Sequence, residues 1–407
     1  MHTHPILAAF AVVSSCAAVA AGPLNPPAGP VASTPGPEPR TPISATTTPG
    51  DTDSVFRITA SGSYYLTANL IAQTGKSGIE IGASNVVIDL SGFSVVGAAS
   101  TLSAVTTEGA SREGVTIRNG TISGWTGSGV FLNGAGHIVE DLNIKSCGLI
   151  GIRGALRLLI RNCHVAGCTS GGIIIDGSST ISNCVVSGTA SGNGIFVFGS
   201  LVTGCVSSGN GGGGIHAEGG SNVAECSANS NNGRGFIIGN STASGCTAQQ
   251  NDLGGFLGSD AVLINCNAQS NNGAGFDIGE RSTVTGCRST FNDGPGIDAD
   301  SGCFIRDNTC TNNGTDAVRA SGIRLSASNN RLQGNLCLRN KDHGIEVNTT
   351  GNLVIGNTCS DNEDVEFSIV AGNKVGTILI PPSNDAINGS TWAPGVGTTD
   401  PWANFSY

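Results

Sequence analysis

Charge is scarce in this sequence, and positive charge is scarcest. Of 407 residues only 12% are charged, four are Lys, and the formal net charge is −10. That balance argues against nucleic acid as a partner, because binding there rests on cations displacing counterions from phosphates. It argues equally against an anionic membrane surface. Aromatic residues make up only 5% of the chain. Strong helix formers do not occur in runs and no heptads appear, which removes bundles and coiled coils. A single core seldom grows beyond about 250–300 residues, so a chain of this length needs several domains or a repetitive architecture.

Apart from the N-terminus, no stretch has the ~20 apolar residues that would span a bilayer. The N-terminal run "PILAAFAVVSSCAAVAAG" ends in small residues, and Ala18-Val19-Ala20 fits an export cleavage site. Residues 1–21 are therefore expected to be a signal peptide, and the protein to be secreted or held in the cell envelope, periplasmic or extracellular. "VSSC", ending at Cys16, is the alternative, a lipoprotein cleavage box. Residues 22–50 are rich in Pro and Thr and are expected to be an extended linker.

What the chain has in abundance is Gly, 62 residues, together with a fixed period. Cys163, Cys184, Cys205, Cys226, Cys246, Cys266 and Cys287 follow one another at intervals of 21, 21, 21, 20, 20 and 21 residues. Such a period marks a solenoid. The repeat reads G-I-x-I-x-G-x-x-x-V-x-x-C-x-A-x-x-N-N-x-G. Its "GI-x-I" alternates like a strand, and its first apolar position runs from Val130 and Ile152 through Phe236, Phe256 and Phe276 to Ile345. No crossover helix fits within 21 residues. The expected fold is thus all-β, a parallel β-helix of about 13 coils stacked at ~4.8 Å. Residues 78–373 form the coils, 51–77 an N-terminal lead-in and cap, and 374–407 a C-terminal tail that covers the open end.

Position by position, the Cys column reads as a ladder of compact, inward-facing core residues. Asn308, Asn335 and Asn357 take over its position near the C-terminus. Cys310, Cys337 and Cys359 then appear two residues later, where earlier coils have Ala228, Ala248, Ala268 or Ser289. Cys147 and Cys168 look like another short stack. Parallel Cβ vectors ~4.8 Å apart do not suit a disulfide, which prefers ~3.8 Å, so free thiols are expected. A second column, Asn210, Asn231, Asn251, Asn271, Asn292, Asn312 and Asn340, is expected to hydrogen-bond along the stack, with Gly and Asn supplying turns at positive φ.

These residues resemble secreted right-handed parallel β-helix proteins of the pectate-lyase-like superfamily, nearest to an uncharacterised bacterial group. The likeness extends from "TPGDTDSVFRITASGSYYLTANL" near the start to "SIVAGNKVGTI" and "TTDPWANFSY" near the end. It implies a right-handed coil. Relatives in that superfamily cleave or isomerise polysaccharides, or serve as surface and phage-tail fibres, but the resemblance transfers the fold and not an activity. The N-T-D, D-D, G-H-G and R-x-K blocks of polygalacturonase-type relatives are absent, and "KDHG" at Lys341 to Gly344 does not replace them.

Chemistry is therefore sought on the outward positions of "GI-x-I-x". These are Arg153, Ile174 with Asp176, Phe196 with Phe198, His216 with Glu218, Ile237, Leu257, Asp277, Asp298 with Asp300, Arg324, and Glu346 with Asn348. An apolar middle gives way to an acidic C-terminal third. Asp277, Asp298 and Asp300 at stacked spacing suit a Ca²⁺ ion or an acid/base pair. Arg324 and Glu346 complete the candidate binding set, beside the insertion "NGTDAVRAS" at Asn313 to Ser321. No cofactor other than Ca²⁺ is implied. The reading is an exported, non-catalytic protein that binds polysaccharide or another surface component. The alternatives are a lyase or hydrolase acting on acidic polysaccharide, and a purely structural surface protein.

Overall fold

The computed structural model describes residues 40–109, 112–380 and 401–407. The expected signal peptide, Cys16 and Trp392 lie outside the described residues. Within them there is no α-helix, and no helix long and apolar enough to cross a membrane. The strands form two parallel sheets, one of 15 strands and one of 30. A typical coil gives one strand to the smaller sheet and two to the larger. One such coil runs Phe276–Ile278, Thr283–Thr285 and Arg288–Thr290. Each pairs in register with the next coil, as Phe276 with Ile297, Val284 with Ile305 and Ser289 with Cys310.

Fifteen stacked strands exceed the expected number of coils. Two of the extra strands, Ser54–Ile58 and Val105–Thr107, belong to early coils without Cys or a Gly-Ile pair, so counting by motif passes over them. Residues 40–50, assigned by composition to the linker, also join the fold. Thr41–Pro42 pairs with Tyr64–Tyr65, and Ile43 and Thr48 are buried. Pro is tolerated there because an edge strand needs no outer N–H. At the other end Asn404–Ser406 pairs with Thr358 and Cys359, so the tail covers the last coil.

The core is a set of inward columns. Phe236, Phe256 and Phe276 are fully buried, with ring centroids 4.7 and 4.9 Å apart and ring planes 5° and 12° from parallel. All 13 described cysteines are free and buried. The Cys163-to-Cys287 ladder is continuous. The residue after each Cys donates its backbone N–H to the preceding coil's Cys carbonyl, as Val185 does to Cys163 (2.9 Å) and Arg288 to Cys266 (2.9 Å). Neighbouring sulfurs and burial push the thiols of Cys184, Cys226 and Cys266 far up, and burial does the same for Cys310 and Cys337.

Each corner of the coil carries a polar ladder. At one, Cys287 N–H donates to Asn308 Oδ1 (2.8 Å), and Asn308, Asn335, Asn357 and Asn404 continue the column to the tail. At the next, Cys147, Cys168 and Thr189 precede Asn210, so the short Cys stack begins the Asn ladder. Asn313 rather than Asn312 occupies this ladder, bonded to Asn292 and Asn340 at 3.0 Å. Asn312 is the left-handed turn residue before it, with φ 54°. Positive φ thus falls on the residues preceding the ladder positions, such as Asn183 before Cys184 and Gly209 before Asn210. The Gly of "G-I" has a different cause. A Cβ on Gly235 would stand 2.8 Å from Asn251 Nδ2 and from Ala248 Cβ. The third corner has a ladder that the sequence reading missed, in which Ser179, Ser200, Ser221 and Ser241 each receive the preceding coil's backbone N–H at 2.9–3.0 Å.

Candidate functional site

Strand alternation sends one residue per coil outward from the middle of the 15-stranded sheet, and parallel register makes these residues a column. Its first part runs Phe131, Arg153, Ile174, Phe196 and His216. It continues through Ile237, Leu257, Asp277, Asp298, Arg324 and Glu346. The outward mid-strand residues expected from the sequence lie in this column, while Asp176, Asp300 and Asn348 fall just past the ends of their strands. Phe131 was missed, although alternation from the inward Val130 would have found it.

The middle of the column is apolar. The Arg153 guanidinium lies over the Phe131 ring, 5.8 Å from its centroid, and 3.7 Å from Asp176. Phe196 and His216 meet edge to face at 4.9 Å. His216 Nε2 lies 2.7 Å from Glu218 Oε1, and Asn193 Nδ2 lies 3.4 Å from His216 Nδ1. Both ring nitrogens thus have neighbours. Phe198 stands beside them with 48% of its surface exposed.

The acidic third is built differently from the expected calcium cluster. Asp277 and Asp298 do stack, but Arg234 Nη2 donates to Asp277 Oδ2 at 2.7 Å. Arg324 grips Asp298 with both prongs of its fork, Nε to Oδ1 at 3.0 Å and Nη2 to Oδ2 at 2.5 Å. Two exposed carboxylates at the strand spacing repel by only about 1 kcal/mol in water. The guanidinium contacts are closer and charge-assisted, so pairing outweighs repulsion. Asp300 sits past the strand end, exposed. Asp277, Asp298 and Asp300 are not among the described groups whose donor atoms lie within 4.8 Å of one another. Glu346 accepts from Ser321 Oγ (2.7 Å) and Asn348 Nδ2 (2.8 Å). Arg234 and Ser321 were not foreseen. Arg234 opens a strand two coils before Asp277, so only an explicit alignment of coils would have brought the two together.

The insertion folds back on the following corners, with Asp316 2.8 Å from Lys341 and Arg319 3.6 Å from Asp342. A groove of about 590 Å³ lies away from the column, lined by Leu159, Ser179, Leu201 and Asn222 among others. Arg157, 3.8 Å from Glu113, is the one titratable group in its lining, and the column, with several paired charges, remains the better candidate.

The stacked parallel coils agree with a family model described as a right handed β-helix region, which matches residues 103–253 and 256–380. The chain belongs to this family. Solved structures of low identity are also similar to this chain. The mannuronan C-5 epimerase AlgE4 A-module of Azotobacter vinelandii is 14% identical, with 78% of this chain and 91% of that one covered and a TM-score of 0.45. The Siphovirus 9NA tailspike receptor binding domain is 9% identical, with 77% and 72% covered and a TM-score of 0.44. A search of curated proteins gave no match. At these identities and TM-scores the likeness carries no argument about function, which rests on the residues of the column.

Proposed function

We propose that this β-helix is an exported, non-catalytic protein that binds a linear polysaccharide lengthwise along the outward column of its 15-stranded sheet. The observation that carries the reading is the uninterrupted register from Phe131 to Glu346, which offers a repeating polymer one contact per coil at a constant spacing. Phe131, Phe196 and Phe198 provide apolar faces on which sugar rings can rest. The Arg324–Asp298 and Arg234–Asp277 pairs provide fixed donors and acceptors for hydroxyl or carboxylate groups.

Binding rather than bond cleavage is favoured because the column's titratable groups are engaged with one another. A general base needs an acceptor atom that can come within about 2.6–3.2 Å of the heavy atom whose proton it takes. His216 has Glu218 and Asn193 at its two nitrogens, and Asp298 is held by Arg324. Export is part of the proposal and rests on the apolar run ending at Ala18-Val19-Ala20. A screen of acidic and neutral polysaccharides with the full mature chain tests the reading. Retention of one class, weakened by Phe196→Ala and by Arg324→Ala, with no new chain ends, is the expected result. Release of shortened products would move the chain to the lyase or hydrolase alternative.

A further inference from the structure

Beside the C-terminal end of the column, the corner that follows the Asn ladder brings together Asp342, His343 and Asp364. Their positions are set by the coil backbone. Asn340 is fully buried and bonded to Asn362 and to the Cys310 carbonyl, which fixes the corner entering residues 341–344. His343 O accepts from Gly322 N (2.9 Å), and Asp364 N donates to Asp342 O (3.1 Å), which locks this corner to the coils on either side.

The imidazole between these carboxylates is the unusual element. His343 Nδ1 is buried and makes no hydrogen bond. The nearest carboxylate oxygen, Asp364 Oδ2, is 3.7 Å away, and Nε2 lies 4.0 Å from Asp342 Oδ1. Both distances are too long for hydrogen bonds. A buried nitrogen without a partner is disfavoured unless something else fills the gap. Two donors on one zinc-sized ion, each about 2.0–2.2 Å from it, stand up to ~4 Å apart, and the Nδ1–Oδ2 gap is of that size. One donor atom from each of Asp342, His343 and Asp364 lies within 4.8 Å of the other two.

We infer that Asp342, His343 and Asp364 bind a divalent transition metal of the zinc class, with water completing the coordination. The donor set decides the class. One imidazole with two carboxylates suits Zn²⁺ or Co²⁺, whereas Ca²⁺ and Mg²⁺ take oxygen donors. Arg319, from the insertion, lies 3.6 Å from Asp342 Oδ1 and is half exposed, so it is the cation that an arriving metal displaces. The site is independent of the polysaccharide reading and uses none of its residues.

The test uses the untagged full chain after treatment with a chelator. Calorimetry with Zn²⁺ is expected to give one equivalent per chain and a raised melting temperature, with Ca²⁺ and Mg²⁺ inert. His343→Gln and Asp364→Asn are expected to weaken uptake by about tenfold or more, while Lys341→Ala retains it and Arg319→Ala tightens it. Melting without metal checks that each variant folds. Co²⁺ is expected to give weak d–d absorption without thiolate charge transfer, because the described cysteines are buried. Absent uptake, uptake unchanged in both ligand variants, a thiolate band, or preference for Ca²⁺ would each overturn the assignment.

Discussion

Replacing Asn251 by Ala tests whether the corner ladders hold the coils together. Asn251 is fully buried. Its Oδ1 accepts from Asn231 N (3.1 Å) and Asn231 Nδ2 (2.9 Å), and its Nδ2 donates to Ala228 O (3.0 Å) and Asn271 Oδ1 (2.9 Å). In Asn251→Ala the Asn231 backbone N–H and one of the two Asn231 Nδ2 hydrogens lose their acceptor, while Nδ2 still reaches Ser207 O (3.2 Å). Each orphaned buried donor costs about 1–3 kcal/mol, so the variant is expected to lose about 2–6 kcal/mol. That is a large share of a typical stability of about 5–15 kcal/mol. Asn272 is the control, since it is exposed and makes one side-chain bond, to Asp252 at 3.2 Å. Asn272→Ala is expected to stay within about 0.5 kcal/mol of the parent. Urea unfolding gives the global effect. Because coil stability is a sum over neighbours, hydrogen exchange is also expected to show faster opening in the coils around Asn231 and Asn271. A loss below about 1 kcal/mol, or one equal to that of Asn272→Ala, would refute the ladder argument.

Two further outcomes follow from buried groups. In the native protein a thiol reagent is expected to leave the 13 described cysteines unlabelled and to react with them only after denaturation; labelling without unfolding, or quantitative disulfides, would contradict a column of buried free thiols. His137 is fully buried, accepts from Val115 N at Nδ1 (3.2 Å) and has Nε2 3.1 Å from Asn133 O, and burial lowers its pKa from 6.5. The unfolded chain therefore takes up a proton that the folded chain refuses. The His137 contribution is full above about pH 6.5 and is lost as pH falls toward the folded value, by at most about 1.4 kcal/mol per pH unit. His137→Asn should flatten that part of the urea-midpoint profile, and an unchanged profile would exclude the assignment.

Periodicity made the coil legible because one backbone geometry recurs, so a period in residue type reports directly on a column. The handover from Cys287 to Asn308, with Cys310 appearing two residues on, could be read because both sides of it are regular. The Ser ladder was hidden for the opposite reason. Ser is common on surfaces, and Ala261 and Cys303 interrupt the run. Asn312 was misplaced because adjacent Asn residues serve two different purposes, a left-handed turn and a ladder rung. Alternation gave the outward face, but not what each charge touches. Arg234 and Asp277 are 43 residues apart, and their contact depends on side-chain reach across two coils. Repulsion among the Asp residues could be foreseen; the guanidinium groups that relieve it could not.

The most direct test of the column as a polysaccharide track is affinity as a function of oligosaccharide length. A polymer lying along stacked coils adds contacts with each sugar, so Kd for the polysaccharide class retained by the full chain should fall stepwise as the oligomer lengthens and then level off. Phe196→Ala should remove part of that gain from the middle of the column, and Arg324→Ala part of it from the C-terminal end. An affinity independent of length, or a length dependence that neither variant changes, would contradict the account.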